Sequence, residues 1–210
     1  AEAVLVLQRV PGDDLAAQTA IVAAAGDAAH AAGKKLAVHA TELLVAKAAL
    51  RSGADYLVHS VFDQEVDEEF LALARKNDAI YCPTLFVTQG YPLALSNQWN
   101  ATPEELKRAD PEILEAMDDL NDIPADKRPE RVAKIMAEPP VISAPAVAMK
   151  NLRTVMDAGV TVVMGTDAGN IGTLHGPSIH REMWLMQASG LTPHEVLRTA
   201  TTNGAKVLGL

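Results

Sequence analysis

Apolar residues fall in short runs separated by longer helical stretches, and two of these units repeat one another. Gly33-Lys-Lys-Leu-Ala-Val-His39 and Gly53-Ala-Asp-Tyr-Leu-Val-His59 each open on Gly, take a polar step, run through an apolar strand and end in His. The Gly suits the left-handed position just past a helix, and residues 14–32 and 42–52 supply those helices. Farther along, residues 67–76 read as a helix with Asn77 in the role of the Gly. Ala79–Cys82 is a short strand closed by Pro83-Thr84. Helix 144–158 runs into Gly159, and the strand Val160–Met164 ends in Gly165-Thr166-Asp167. With a buried strand at Ala3–Leu7, about five apolar strands alternate with helices, which is the pattern of a parallel α/β sheet. Helices at 178–189 and 193–208 close the chain. The second carries the capping box Thr192-Pro193-His194-Glu195, with Pro at its first position.

Residues 88–140 break this rhythm with polar, Pro-punctuated helical pieces. Thr102-Pro-Glu-Glu105 is a further capping box, and Asp110-Pro111 marks another helix start. Two readings are open for the insertion: a lid over a site at the strand ends, or a solvated excursion without a substrate role. The whole of 1–210 is expected to form one domain.

Composition narrows the classes of partner. The chain has 210 residues, a hydrophobic fraction of 49% and a net charge of −9. That balance argues against nucleic acid and anionic membrane, both of which require a basic face. Cys82 is the single cysteine, so an intramolecular disulfide and a cysteine-only zinc site are both excluded. Every apolar run is shorter than the roughly 18–20 residues of a membrane span. The opening AEAVLVL has neither an initiator Met nor the layout of a signal peptide, and it reads as a chain that starts in the middle of something. Cytoplasmic and exported locations both stay open.

In a parallel barrel the C-terminal ends of the strands meet on one rim. His39, His59 and Asp167 stand at three such ends. Two imidazoles and a carboxylate suit a borderline divalent ion such as zinc, and the same Asp could take a proton from water. Singly, each is equally well a loop His or a turn Asp. Together, at matched positions, they point to a site.

VHA at 38–40, VHSV at 58–61, CPTL at 82–85 and GTDAG at 165–169 resemble the amidohydrolase superfamily, in its imidazolonepropionase-like and prolidase-like branch. The late run EVLRTATTNGAKVLGL (195–210) is similar to the stretch with which those barrels finish. The resemblance covers nearly the whole chain outside 88–140. It implies a partial TIM-like (β/α) barrel, roughly strands four to eight, and a hydrolase using one or two Zn²⁺ ions in its complete form. It also implies that His39 and His59 are metal ligands and that Asp167 is both ligand and general base. The substrate class implied is a small molecule with an amide, cyclic amide, dipeptide or related C–N bond, or an ester.

Two features depart from that pattern. No two of the six His stand two apart, so the His-x-His pair of the first strand is absent. No Lys lies between Ala1 and Gly33, and Leu5 takes the place of the bridging Lys of the fourth strand. The expectation is a piece of a longer enzyme lacking its N-terminal half; the alternative is a partial barrel completed by a second chain, as in a homo-oligomer. A non-catalytic binding or scaffold module is the competing function. A phosphate-binding barrel is disfavoured, because Gly-Thr-Asp-Ala-Gly puts a carboxylate where the anion would sit.

Several further residues remain to be placed. His175, Thr84 and Tyr81 are candidates for substrate contact, with a solvated loop for His175 and core packing for Tyr81 as the other readings. Arg181 and Glu182 are expected to position the loop after Asp167, and His180 to pack or hydrogen-bond. His30 and His194 are expected at the surface, and Trp99 and Trp184 in packing roles. Asp63, Glu65, Asp67, Glu68 and Glu69 are expected to cap and solvate a helix start.

Overall fold

The structure, a computed structural model, describes residues 3–5, 15–117, 119–143 and 145–210. Strand β1 (Ala3–Leu5) is followed by α1 (Leu15–Ala31), β2 (Lys35–His39), α2 (Leu43–Arg51), β3 (Tyr56–Val58), α3 (Glu68–Lys76) and β4 (Ile80–Cys82). A helical run then comprises α4 (Val87–Leu95), α5 (Pro103–Arg108), α6 (Pro111–Ala116), α7 (Asp119–Asp122) and α8 (Glu130–Ala137). The chain ends with α9 (Ala146–Asp157), β5 (Thr161–Val162), α10 (Ile179–Ala188), α11 (Pro193–Ala200) and α12 (Thr202–Leu208). The expected strand residues Val6 and Leu7, and the side chain of Leu5, lie outside the described residues. Two compact units result: Ala1–Pro83 with Pro145–Met164 and Met186–Leu210, and Thr84–Ala144 with Gly165–Leu185.

All five strands belong to the first unit. They pair in parallel in the order β1-β2-β3-β4-β5, so each strand lies beside its neighbour in sequence. Sequential parallel order is the order of a (β/α) barrel. Val38, Leu57, Tyr81 and Val162 align in register across four strands, and each is at most 1% exposed. Both faces of such a sheet are covered, which is why its strands are apolar without alternation.

Local chemistry sets the helix ends. The Asp67 side chain accepts from Phe70 N at the start of α3, whose first turn holds Glu68 and Glu69 and whose last turn holds Arg75 and Lys76. Asp63 accepts from Leu43 N, and Glu65 pairs with Lys150. Asp67, Glu68 and Glu69 open α3 as expected, whereas Asp63 serves the start of α2. Gly33, Gly53 and Gly159 take positive φ after their helices. At the fourth such junction the left-handed residue is Asp78 (φ 46°), a correction to the expected Asn77. Asn77 stays in the right-handed helical region and its amide donates to Leu50 O at 2.7 Å. That bond ties two successive repeat units together and moves the reversal one residue on.

Strand β5 is shorter than Val160–Met164, although Val163 N still donates to Tyr81 O at 3.0 Å. The helix expected over 193–208 breaks at Thr201 (φ −120°, ψ −84°) into α11 and α12. The break lets two groups grip the end of β5: Thr199 O accepts from Met164 N, and the Asn203 amide donates to Val162 O. Asn151 on α9 is buried and braces the β3–α3 connection, donating to Val61 O and Gln64 O and accepting from Val66 N.

In the second unit, Gly90 of α4 lies against the 171–172 backbone. A Cβ on Gly172 would stand 2.3 Å from Gly90 O, and the φ of +76° is itself unfavourable to any other residue. Gly172→Ala is therefore expected to lower stability by about 2–3 kcal/mol, from left-handed strain and overpacking together. Urea denaturation checks this, and a change below about 0.5 kcal/mol would show that the helix and loop can part without loss. Trp99 packs as expected, with its indole N–H on Gly172 O at 3.0 Å. Trp184 does not: it is 65% exposed, because it stands on the outer face of α10. Among the described residues no helix is long and apolar enough to cross a membrane.

Candidate active site

The repeat delivers its two histidines to adjacent strand ends. His39 is the last residue of β2 and pairs in register with Val58, so His59 follows one residue beyond the end of β3. Their rings meet edge to face with centroids 4.4 Å apart. Both are half-buried, and His39 Nε2 is shut off from solvent.

Left-handed backbone recurs after three of the strands. Five non-glycine residues have positive φ among the described residues, and three of them are His59 (74°), Thr84 (44°) and Asp167 (54°). They follow β3, β4 and β5 respectively. Asp and His tolerate this region, but for a β-branched Thr it is a true outlier. Residues held this way cost of order 1–3 kcal/mol each, and they cluster at functional sites.

Asp167, in the second unit, is exposed. Its carboxylate accepts from Asn170 Nδ2 at 2.8 Å, and its carbonyl accepts from Asn170 N. Asn170 is a partner that sequence reading missed. An Asp and an Asn three apart in a Gly-rich loop are the available signal, since side chains of this kind fold tight turns around themselves. His175 is exposed on the same loop, with Nε2 only 2.8 Å from where a Cβ of Gly169 would be. That close approach accounts for the Gly. Thr84 is 2% exposed and opens the second unit directly after β4. Tyr81 is 1% exposed; its ring packs edge-on against Phe70, its hydroxyl accepts from Val61 N, and burial raises its pKa to about 12.

Arg181 and Glu182, expected to position the loop after Asp167, instead hold the segments at 85–86 and 100–105. Glu182 is fully buried and accepts from Leu85 N and Phe86 N, both at 2.8 Å, just after Thr84. Arg181 forks onto the buried Glu105 and also donates to Asn100 O.

The pair of imidazoles fits two positions of a divalent-metal donor set. Among the described residues, however, no group of three or more His, Cys, Asp or Glu is arranged to hold an ion. The structure thus brings His39 and His59 together within the first unit.

The model of the amidohydrolase family matches residues 10–210. The chain belongs to the amidohydrolase family. That family generally uses divalent metals. No curated protein matches the chain. Among solved structures, this amidohydrolase chain is similar to a Xaa-Pro dipeptidase with methionine bound in its active site, at 23% identity and a TM-score of 0.58 over 91% of this chain and 38% of that one. It is similar to a Bifidobacterium longum protein provisionally assigned as a prolidase, at 22% identity and a TM-score of 0.62 over 99% and 44%. A third is the A. niger ochratoxinase, at 19% and 0.52 over 88% and 33%. The amidohydrolase chain therefore spans under half the length of each, and the shared fold is a partial (β/α) barrel.

Proposed function

We propose that the chain forms part of a hydrolase of the amidohydrolase type that uses a divalent ion, most simply zinc, to activate water against an amide, cyclic amide, dipeptide or related C–N bond, or an ester. The observation that carries this reading is the edge-to-face pair of His39 and His59 at the ends of neighbouring parallel strands. His39 and His59 hold the ion. Asp167 is the general base: Asn170 fixes its Oδ2 and leaves Oδ1 to take the proton. Thr84 and His175 contact a small-molecule substrate. Assayed alone, the chain draws its remaining ligands from a second copy of itself; in a longer protein an N-terminal half would supply them.

Leu5 in the place of the bridging Lys favours a second reading, a binding or scaffold module. Turnover separates the two. The zinc-supplemented chain, given a panel of dipeptides, N-acyl amino acids and carboxylate esters, is expected to hydrolyse at least one, and Asp167→Asn to lower that rate about 100-fold or more. Absence of turnover across the panel, or turnover indifferent to Asp167→Asn, would contradict the hydrolase reading for this chain.

A further inference from the structure

The second unit contains a cavity of about 580 Å³ beside the loop that carries Asp167. Its walls are mostly aliphatic: Leu95 of α4, Ile113 of α6, Met117, Leu120 of α7, and Ile171 and Leu174 of the loop after β5. The volume lies within the roughly 300–1,000 Å³ of small-molecule sites. Ile113 and Ile171 are 48% and 45% exposed, so apolar wall is left in contact with water that a ligand would displace.

One polar contact gives the cavity a direction. Asn170 lines the same cavity and donates to Asp167 Oδ2 at 2.8 Å. The wall is therefore one side chain away from the carboxylate assigned as the base. Asp119 is the acidic group of the lining, and with a net charge of −9 the chain disfavours an anionic occupant.

We infer that this cavity is a specificity pocket that receives an uncharged aliphatic or aryl side group of the substrate. The inference rests on the hydrolase reading and names the class of substrate: amides or dipeptides with a bulky apolar side chain. His175, which also lines the cavity, would then face the portion of the substrate nearest the loop.

The test is a ¹H–¹⁵N NMR titration of the whole chain with N-acetyl-L-phenylalaninamide and with N-acetylglycinamide. The phenylalanine compound is expected to bind at least about tenfold more tightly, as burial of one aromatic side chain implies. Leu120→Trp, which fills the cavity, is expected to abolish that preference. Equal affinities, no saturable binding of the phenylalanine compound, or a preference untouched by Leu120→Trp would overturn the pocket. The two proposals fail separately. The preference should persist in the His39→Ala/His59→Ala protein; a preference without metal binding or turnover sinks the hydrolase reading alone. Turnover that is equal for glycine and phenylalanine amides sinks the pocket alone.

Discussion

Arg181→Met is expected to destabilise the chain by about 3–5 kcal/mol, because it removes the counter-charge from a buried carboxylate. Glu105 is fully buried, and Arg181 grips both of its oxygens, Nε on Oε1 and a terminal nitrogen on Oε2, each at 2.6 Å. Thr102 N donates to the same carboxylate from the start of α5, and the guanidinium lies over the rings of Phe86 and Trp99. Met replaces the aliphatic stem but none of the donors, so Glu105 must either stay charged without a partner or bind a proton. Burial raises the Glu105 pKa, but Arg181 and Thr102 outweigh it, and the net position is below the ordinary carboxylate value. A depressed folded value means that this stabilisation is present at neutral pH and is lost as the pH falls through it. Urea denaturation followed by tryptophan fluorescence should show the largest gap between Arg181→Met and wild type near pH 7, closing in acid. A gap under about 1 kcal/mol at pH 7 would mean that Glu105 is solvated.

Glu182→Ala is expected to cost about 3–5 kcal/mol, and its pH dependence runs the other way. The substitution strips acceptors from two buried N–H groups and leaves space behind, losses of about 1–3 kcal/mol for each donor. Burial pushes the Glu182 pKa up to about 7, against the pull of Leu85 N and Phe86 N. The folded state therefore holds the proton more tightly than the unfolded chain. That contribution is fully present below about pH 4.5 and is lost as the pH rises through about 7. The stability gap between wild type and Glu182→Ala should accordingly narrow by roughly 2–3 kcal/mol between pH 5 and pH 8. A gap that widens over that range would show Glu182 to be ionised throughout.

What the sequence could convey was whatever is written locally. The Gly–strand–His units put His39 and His59 at neighbouring strand ends because one helix and one strand per unit leave little freedom in a parallel sheet. The capping boxes at Thr102 and Thr192 form as their spacing requires. Misreadings arise where distant parts of the chain decide. Asn77 and Asp78 tolerate the left-handed region about equally, and only the bond from Asn77 to Leu50 O chooses between them. The break at Thr201 follows from the hold of Thr199 and Asn203 on the β5 end, more than thirty residues back. Glu182 looks like one more charged helix residue until Leu85 and Phe86, nearly a hundred positions away, supply its donors. For the candidate site the histidine pair could be read in advance, and so could the strand-end position of Asp167. The strained backbone at His59, Thr84 and Asp167 could not, because Thr carries no local preference for positive φ.

Metal stoichiometry is the most direct test of the central claim that His39 and His59 form part of a metal site. Elemental analysis by plasma mass spectrometry of the purified chain, zinc-supplemented and desalted, is expected to give near-stoichiometric zinc in the wild type and close to none in His39→Ala/His59→Ala. A wild type that stays metal-free after zinc is supplied, or a double variant that retains as much zinc as the wild type, would contradict it.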